Sequence, residues 1–266
     1  MKKLIYFIAA TAFLVFPPEA KAGETINYKD GDVELEGYWA KSECGDAAAP
    51  TVLVIHQWKG LTDNEKMRAD LLAKECYNAF AVDMYGKGIR PDNNDDAGKQ
   101  ATIYKSDSPL ARKRITAALD YAKQQAGVDT SKIAAIGYCF GGTMALELAR
   151  SGADVKGVVS FHGDLSTPAQ ATEAGVIKAS VQVHHGAADP MVPPAEVKAF
   201  EDEMNTANAD WVLTSYAHAV HSFTQKEAGD DVTKGAAYNE KADIRSWASA
   251  KAFLAEIFGK TANRRG

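Results

Sequence analysis

The stretch KIAAIGYCFGGTMALELARSG, residues 132–152, changes period in its middle. Its first seven residues, KIAAIGY, are an apolar run of strand length, and from Gly141 onward the apolar residues return at helical spacing. Between the two lies GYCFGG (137–142), whose one reactive polar atom is the sulfur of Cys139. A thiol at the tip of a strand-to-helix turn has three readings: a small buried residue in a tight corner, one half of a disulfide, or a nucleophile held up for attack.

Outward from this stretch the same alternation repeats. TVLVIH (51–56), AFAVDMY (79–85), VKGVVSFHG (155–163), SVQVHHG (180–186) and WVLTSYA (211–217) are short and rich in β-branched or aromatic residues, as strands are. Segments 64–76, 108–125, 193–208 and 243–258 carry apolar residues at three- and four-residue spacing, as in Ile115, Ala118, Leu119 and Ala122. Continuously apolar strands alternating with amphipathic helices predict an α/β fold: a mostly parallel sheet with helices on both faces. TINYKDGDVELEGYWAK (25–41) places DGD between two alternating segments and predicts an N-terminal antiparallel hairpin at the sheet edge. GKGIRPDNNDDAGKQ (86–100) reads as the longest turn-rich loop, and a loop of that length in a compact domain is often functional. No internal repeat or interdomain linker interrupts the pattern, and 266 residues at 46% hydrophobic content suit one large core.

The first residues stand apart from that domain. MKK is basic, LIYFIAATAFLVF is apolar but short for a bilayer, and Ala20-Lys21-Ala22 supplies a small-x-small cleavage pattern. The expectation is a signal peptide over 1–22, cut after Ala22, and a secreted, periplasmic domain over 23–266; a retained membrane anchor is the alternative. Cleavage would remove three lysines and one glutamate and move the net charge from −5 to −7. An acidic chain without a basic stripe argues against nucleic acid and anionic membranes as partners and leaves small neutral ligands open. In an oxidising compartment the three cysteines matter: one at least stays unpaired, and a Cys44–Cys76 bridge would leave Cys139 as the free thiol.

At the carboxyl end of a parallel strand, where ligands bind such sheets, G-x-C-x-G-G is the thiol form of a nucleophile elbow. The following helix points free N–H groups and the positive end of its dipole at the sulfur. A nucleophile also needs a base and a group to orient that base. HHGAADPMVP places Asp189 after one strand, and YAHAVHSF places His221 after the next. Cys139, Asp189 and His221 follow the nucleophile–acid–base order of the α/β-hydrolase fold.

GYCFGG, HHGAADPMVP and HAVHSF together resemble the dienelactone hydrolase family, α/β-hydrolases with a cysteine nucleophile, and TVLVIHQWKGL and AVDMYG fit its early strands. The resemblance runs from about Ile26 to Phe258. It implies a hydrolase of small esters, lactones or thioesters that needs no cofactor, with Cys139 attacking the carbonyl, His221 moving the proton and Asp189 holding His221. It further implies an oxyanion hole from the backbone N–H groups of Phe140 and Trp58, and substrate contacts at Gln57, Tyr104, Phe223 and Gln225. Two departures stand out. Gln57 occupies the place of a family glutamate that takes part in activating the thiol, and Gln225, with Gln100, stands where the family binds a substrate carboxylate through arginines. Lys99 and Lys226 lie near these positions in the sequence. These losses point away from an anionic substrate. Two rivals remain: a ligand-binding protein that kept the fold and lost turnover, and a thiol redox protein pairing Cys139 with Cys44 or Cys76, against which the absence of C-x-x-C speaks.

The other histidines support no metal site. His184 and His185 are adjacent on a strand and so face opposite sides of the sheet. His162 reads as a hydrogen-bonded interior residue, His218 as a strand-end or loop residue, and His56 as a pocket-lining group or a donor to a backbone carbonyl. Asp83 reads as a strand-end carboxylate satisfying turn N–H groups.

Overall fold

The computed structural model describes residues 23–259; the expected signal peptide lies outside the described residues, as do 260–266. The hairpin forms as the DGD motif predicts, with β1 (Glu24–Asp30) antiparallel to β2 (Val33–Ala40) and Gly31 at φ 59° in the turn. Then follow β3 (Ala49–Ile55), α1 (Asp63–Lys74), β4 (Asn78–Val82), α2 (Asn94–Lys105), α3 (Ser108–Lys123), β5 (Val128–Tyr138) and α4 (Phe140–Arg150). The chain continues through β6 (Gly157–Phe161), β7 (Ser180–Gly186), α5 (Pro194–Thr206), β8 (Trp211–Tyr216) and α6 (Glu240–Ile257).

One eight-stranded sheet results, in the order β1-β2-β4-β3-β5-β6-β7-β8. Strands β3 to β8 run parallel, and β2 joins them antiparallel through β4. Period-two alternation sorts side chains to the two faces: Leu53, Ile55 and Ile133 pack under α3, α4 and α5, while Val52, Val54 and Ile136 pack under α1 and α6. From β3 the chain winds outward to β4, whereas from β5 it winds the other way to β6. The crevice where a doubly wound sheet opens therefore lies beyond the carboxyl ends of β3 and β5. Residues 56–60 and Cys139 exit into that crevice.

The turn-rich reading of 86–100 needs correction, because α2 begins inside it at Asn94. Asn93 caps the helix by accepting from the Asp96 N–H at 2.9 Å, and Asp95 and Asp96 sit favourably in its first turn. Its buried Ala97, Ala101 and Tyr104 are spaced i, i+4, i+7, a stripe masked by the polar DNNDD that precedes it.

Arg150 locks the far end of α4, its Nε and Nη2 donating to both oxygens of Glu203 on α5 at 2.9 and 2.8 Å. A Cys44–Cys76 disulfide, Cα atoms 5.2 Å apart, ties the loop before β3 to the turn entering β4, at the end of the sheet opposite Cys139. No helix among the described residues is long and apolar enough to cross a membrane.

Candidate active site

Cys139 sits between β5 and α4 at φ 52°, ψ −120°, a backbone conformation that costs a non-glycine residue about 1–3 kcal/mol and holds the side chain out from the turn. Two neighbouring glycines permit it. A Cβ at Gly137 would overlap the carbonyl of Gly141, and one at Gly141 would overlap the carbonyls of Ile55 and His56. The second contact matters for the chemistry, because it brings the first turn of α4 against the end of β3. Phe140 opens that turn, and Trp58 lies in the loop that follows β3. Their backbone N–H groups have no acceptor among the described residues.

His221 and Asp189 arrive from the turns after β8 and β7. The Asp189 N–H donates to the Gly186 carbonyl at 2.9 Å, and the His221 backbone is pinned by its N–H to Gly235 at 3.2 Å and its carbonyl from Ala237 at 3.0 Å. His221 Nε2 lies 3.1 Å from Cys139 Sγ, and its Nδ1 lies 2.9 Å from Asp189 Oδ2. The other carboxylate oxygen of Asp189 accepts the Met191 N–H at 2.8 Å. Burial by itself would lower the His221 pKa. Electrostatic interaction with Cys139 and the hydrogen bonds to Asp189 and Cys139 outweigh it and push the value up to about 10.

His162 is buried behind His221, its ring edge-to-face on the imidazole with centroids 5.3 Å apart and its Nε2 2.8 Å from Thr224 Oγ1. Burial, reinforced by the neighbouring His221 charge, holds His162 well below the usual histidine range. His184 is hydrogen-bonded to the Tyr216 hydroxyl at 3.0 Å and lowered to about 3 by burial, and His218 lies in the turn after β8. Among the described residues no group of three or more His, Cys, Asp or Glu is placed to hold a metal ion. Asp83 does what its strand-end position suggests, accepting the Tyr85 and Gly86 N–H groups at 3.0 and 3.1 Å.

A groove of about 840 Å³ adjoins the crevice, lined among others by Gln57, Trp58, Asn64, Met67, Ser222 and Gln225. Lys59, Asp63, Glu227 and Lys234 also line it, and no arginine does. Of the substrate contacts that the resemblance implies, Gln57 and Gln225 line this groove. Tyr104 and Phe223 do not. Tyr104 is buried, its hydroxyl accepting from Arg114 Nη1 at 3.1 Å, because it belongs to the inward stripe of α2. Phe223 is fully buried against His162 and Tyr216, centroids 5.0 and 5.5 Å away, and supports the His221 loop from behind. Lys99 is engaged by Asp96 on the exposed side of α2. The sequence reading missed Asn64, Met67 and Ser222 as lining residues, since only the packing of α1 beside the His221 loop brings them together.

A model described as the dienelactone hydrolase family matches residues 35–258. The chain belongs to the dienelactone hydrolase family. A solved dienelactone hydrolase-like promiscuous phosphotriesterase from metagenomic libraries is similar at 38% identity and a TM-score of 0.84, with 89% of this chain and 98% of that one covered. An uncharacterised protein of Caenorhabditis elegans is 40% identical over 147 residues, 54% of this chain and 92% of the relative. A thermophilic esterase from Thermogutta terrifontis, 22% identical with a TM-score of 0.61 and covered over 96% and 99%, shares the fold. Family membership makes the chain a carboxylic ester hydrolase in class.

Cys44 and Cys76 are bonded to each other and Cys139 is a free, partly exposed thiol, which leaves the redox rival without a partner cysteine.

Proposed function

We propose that the protein hydrolyses small neutral esters, lactones or thioesters through a cysteinyl acyl-enzyme, with Cys139 as nucleophile, His221 as acid and base, and Asp189 as the group that orients His221. The observation that carries this reading is the continuous chain from Cys139 Sγ through His221 to Asp189 at 3.1 and 2.9 Å.

Gln57 does not titrate near neutral pH and cannot act as an acid or base, so activation falls to His221 alone. Its raised pKa keeps the imidazole protonated beside the sulfur at neutral pH. The Sγ lone pair attacks the carbonyl carbon, and the carbonyl electrons move to the oxygen facing the Phe140 and Trp58 N–H groups. Such donors contribute about 3 kcal/mol each to transition-state stabilisation. Collapse expels the alcohol, which takes the proton from His221 Nε2. Neutral His221 then removes a proton from water, hydroxide attacks the thioester, and the acid leaves as Cys139 is regenerated beside protonated His221.

Gln57 and Gln225 line the groove and no arginine does, so the bidentate guanidinium clamp that a carboxylate substrate would use is missing, which favours uncharged substrates. The Cys44–Cys76 bridge supports residence in an oxidising, exported compartment.

Intact-mass spectrometry of the mature protein, quenched shortly after mixing with a p-nitrophenyl ester, tests the mechanism. The expected result is a transient acyl adduct with turnover in the wild type and neither in Cys139→Ala. Hydrolysis by folded Cys139→Ala would overturn the assignment of the nucleophile.

A further inference from the structure

We propose that His56 is a positioning residue for the oxyanion hole: its Nδ1–H clamps the Gln57 carbonyl and thereby aims the Trp58 N–H. This deepens the reading above and rests on it, since Trp58 matters only if an oxyanion forms.

His56 follows β3 and is wholly buried. The Met84 N–H donates to its Nε2 at 3.0 Å, so that nitrogen is the acceptor and the ring proton resides on Nδ1. Burial also lowers its pKa, which agrees with a neutral ring. Nδ1–H has the Gln57 carbonyl as its partner, and the Gly60 N–H reaches the same oxygen at 3.1 Å. The Gln57 C=O and the Trp58 N–H are the two ends of one planar trans peptide, so fixing the oxygen fixes the opposite direction of the N–H. Two donors on the carbonyl also polarise the peptide and strengthen its N–H as a donor. The next peptide is held as well, by the Tyr85 hydroxyl on the Trp58 carbonyl at 2.9 Å. The same imidazole stacks on Phe140, centroids 5.7 Å apart and planes 23° apart, and so touches one residue of the N–H pair and the peptide carbonyl opposite the other.

A pair of substitutions separates positioning from packing. In His56→Asn the side-chain Nδ2 falls near the place of the ring Nδ1 and keeps the clamp while losing the Met84 bond. In His56→Gln the terminal oxygen falls near the place of Nε2 and keeps the Met84 bond while losing the clamp. Both leave unfilled volume, and their folding is compared by circular dichroism and thermal unfolding. Two rates are read: steady-state hydrolysis of a p-nitrophenyl ester, which passes through an oxyanion, and alkylation of Cys139 by iodoacetamide, which does not.

His56→Gln is expected to lower kcat about 100-fold with KM within about threefold, the loss typical of removing one oxyanion donor. His56→Asn is expected to stay within about tenfold of wild type in kcat, and the alkylation rate to be unchanged in both. Equal losses in the two variants, a change carried by KM, or a parallel fall in alkylation would overturn the positioning role. A failure of the underlying mechanism shows separately, as ester turnover in Cys139→Ala.

Discussion

Asp189→Asn is the substitution that probes the electrostatics of the site with the least change in shape. Both carboxylate oxygens are in use, one accepting from Met191 N–H at 2.8 Å and the other from His221 Nδ1–H at 2.9 Å. An asparagine has a single acceptor oxygen, so one of these two donors must face an NH2 group. Loss of a hydrogen bond to a charged group costs about 1.5–3 kcal/mol, or roughly 10- to 150-fold in rate if it is felt in the transition state. Removing the adjacent carboxylate should also lower the His221 pKa from about 10 by about 1–3 units. His221 must be protonated to deliver a proton to the leaving alcohol, so activity should fall as pH rises through that pKa. The assay is kcat/KM for an ethyl ester, whose alkoxide leaving group must be protonated, followed by acid release from pH 6 to 10.5, which reports the free enzyme. The wild type should hold its rate until close to pH 10. The variant should lose rate at every pH and begin its alkaline decline about 1–3 pH units earlier. An alkaline limb that does not move, with a rate within about twofold of wild type, would refute the claim that the Asp189 charge holds His221 protonated.

Two further outcomes concern stability. The Cys44–Cys76 bridge spans 32 residues, and loop-closure entropy makes it worth about 4 kcal/mol; the Cys44→Ala, Cys76→Ala double variant should unfold at markedly lower urea concentration while ester turnover stays within about twofold at 25 °C. His184, lowered to about 3 in the fold, is protonated in the unfolded chain below about 6.5, so stability should fall as pH drops below that value. Between pH 7 and 4.5 its share is about 3 kcal/mol, and urea unfolding of His184→Gln should show a loss smaller by about that amount.

Much of the site was legible in the chain because its local causes are local. Gly137, Gly141 and Gly142 around Cys139 announce a turn too tight for a Cβ, and that turn forms with Cys139 at φ 52°. Asp189 and His221 each follow a β-strand, and in a parallel sheet every strand delivers its following residue to the same edge. The order of strands, acid and base therefore already placed the three residues at one edge of the sheet, and the arrangement of β5, β7 and β8 in the sheet brought them to 3.1 and 2.9 Å. Helix α2 was lost for an equally local reason, its capping residue lying inside a run that also reads as a turn.

What the sequence by itself determined is the layer architecture, the hairpin and the order of the site residues, because two- and four-residue periodicities and short-range backbone limits are properties of neighbouring residues. Only the tertiary structure decided the rest. Cys44 and Cys76 are 32 residues apart and meet because β4 is laid beside β3. Tyr104 and Phe223 turn inward because their helix and loop have neighbours to pack against. The two ring nitrogens of His56 find their roles because Met84 comes from the end of an adjacent strand. Contacts between residues far apart in sequence depend on how elements are arranged in space, and no short window of sequence carries that information.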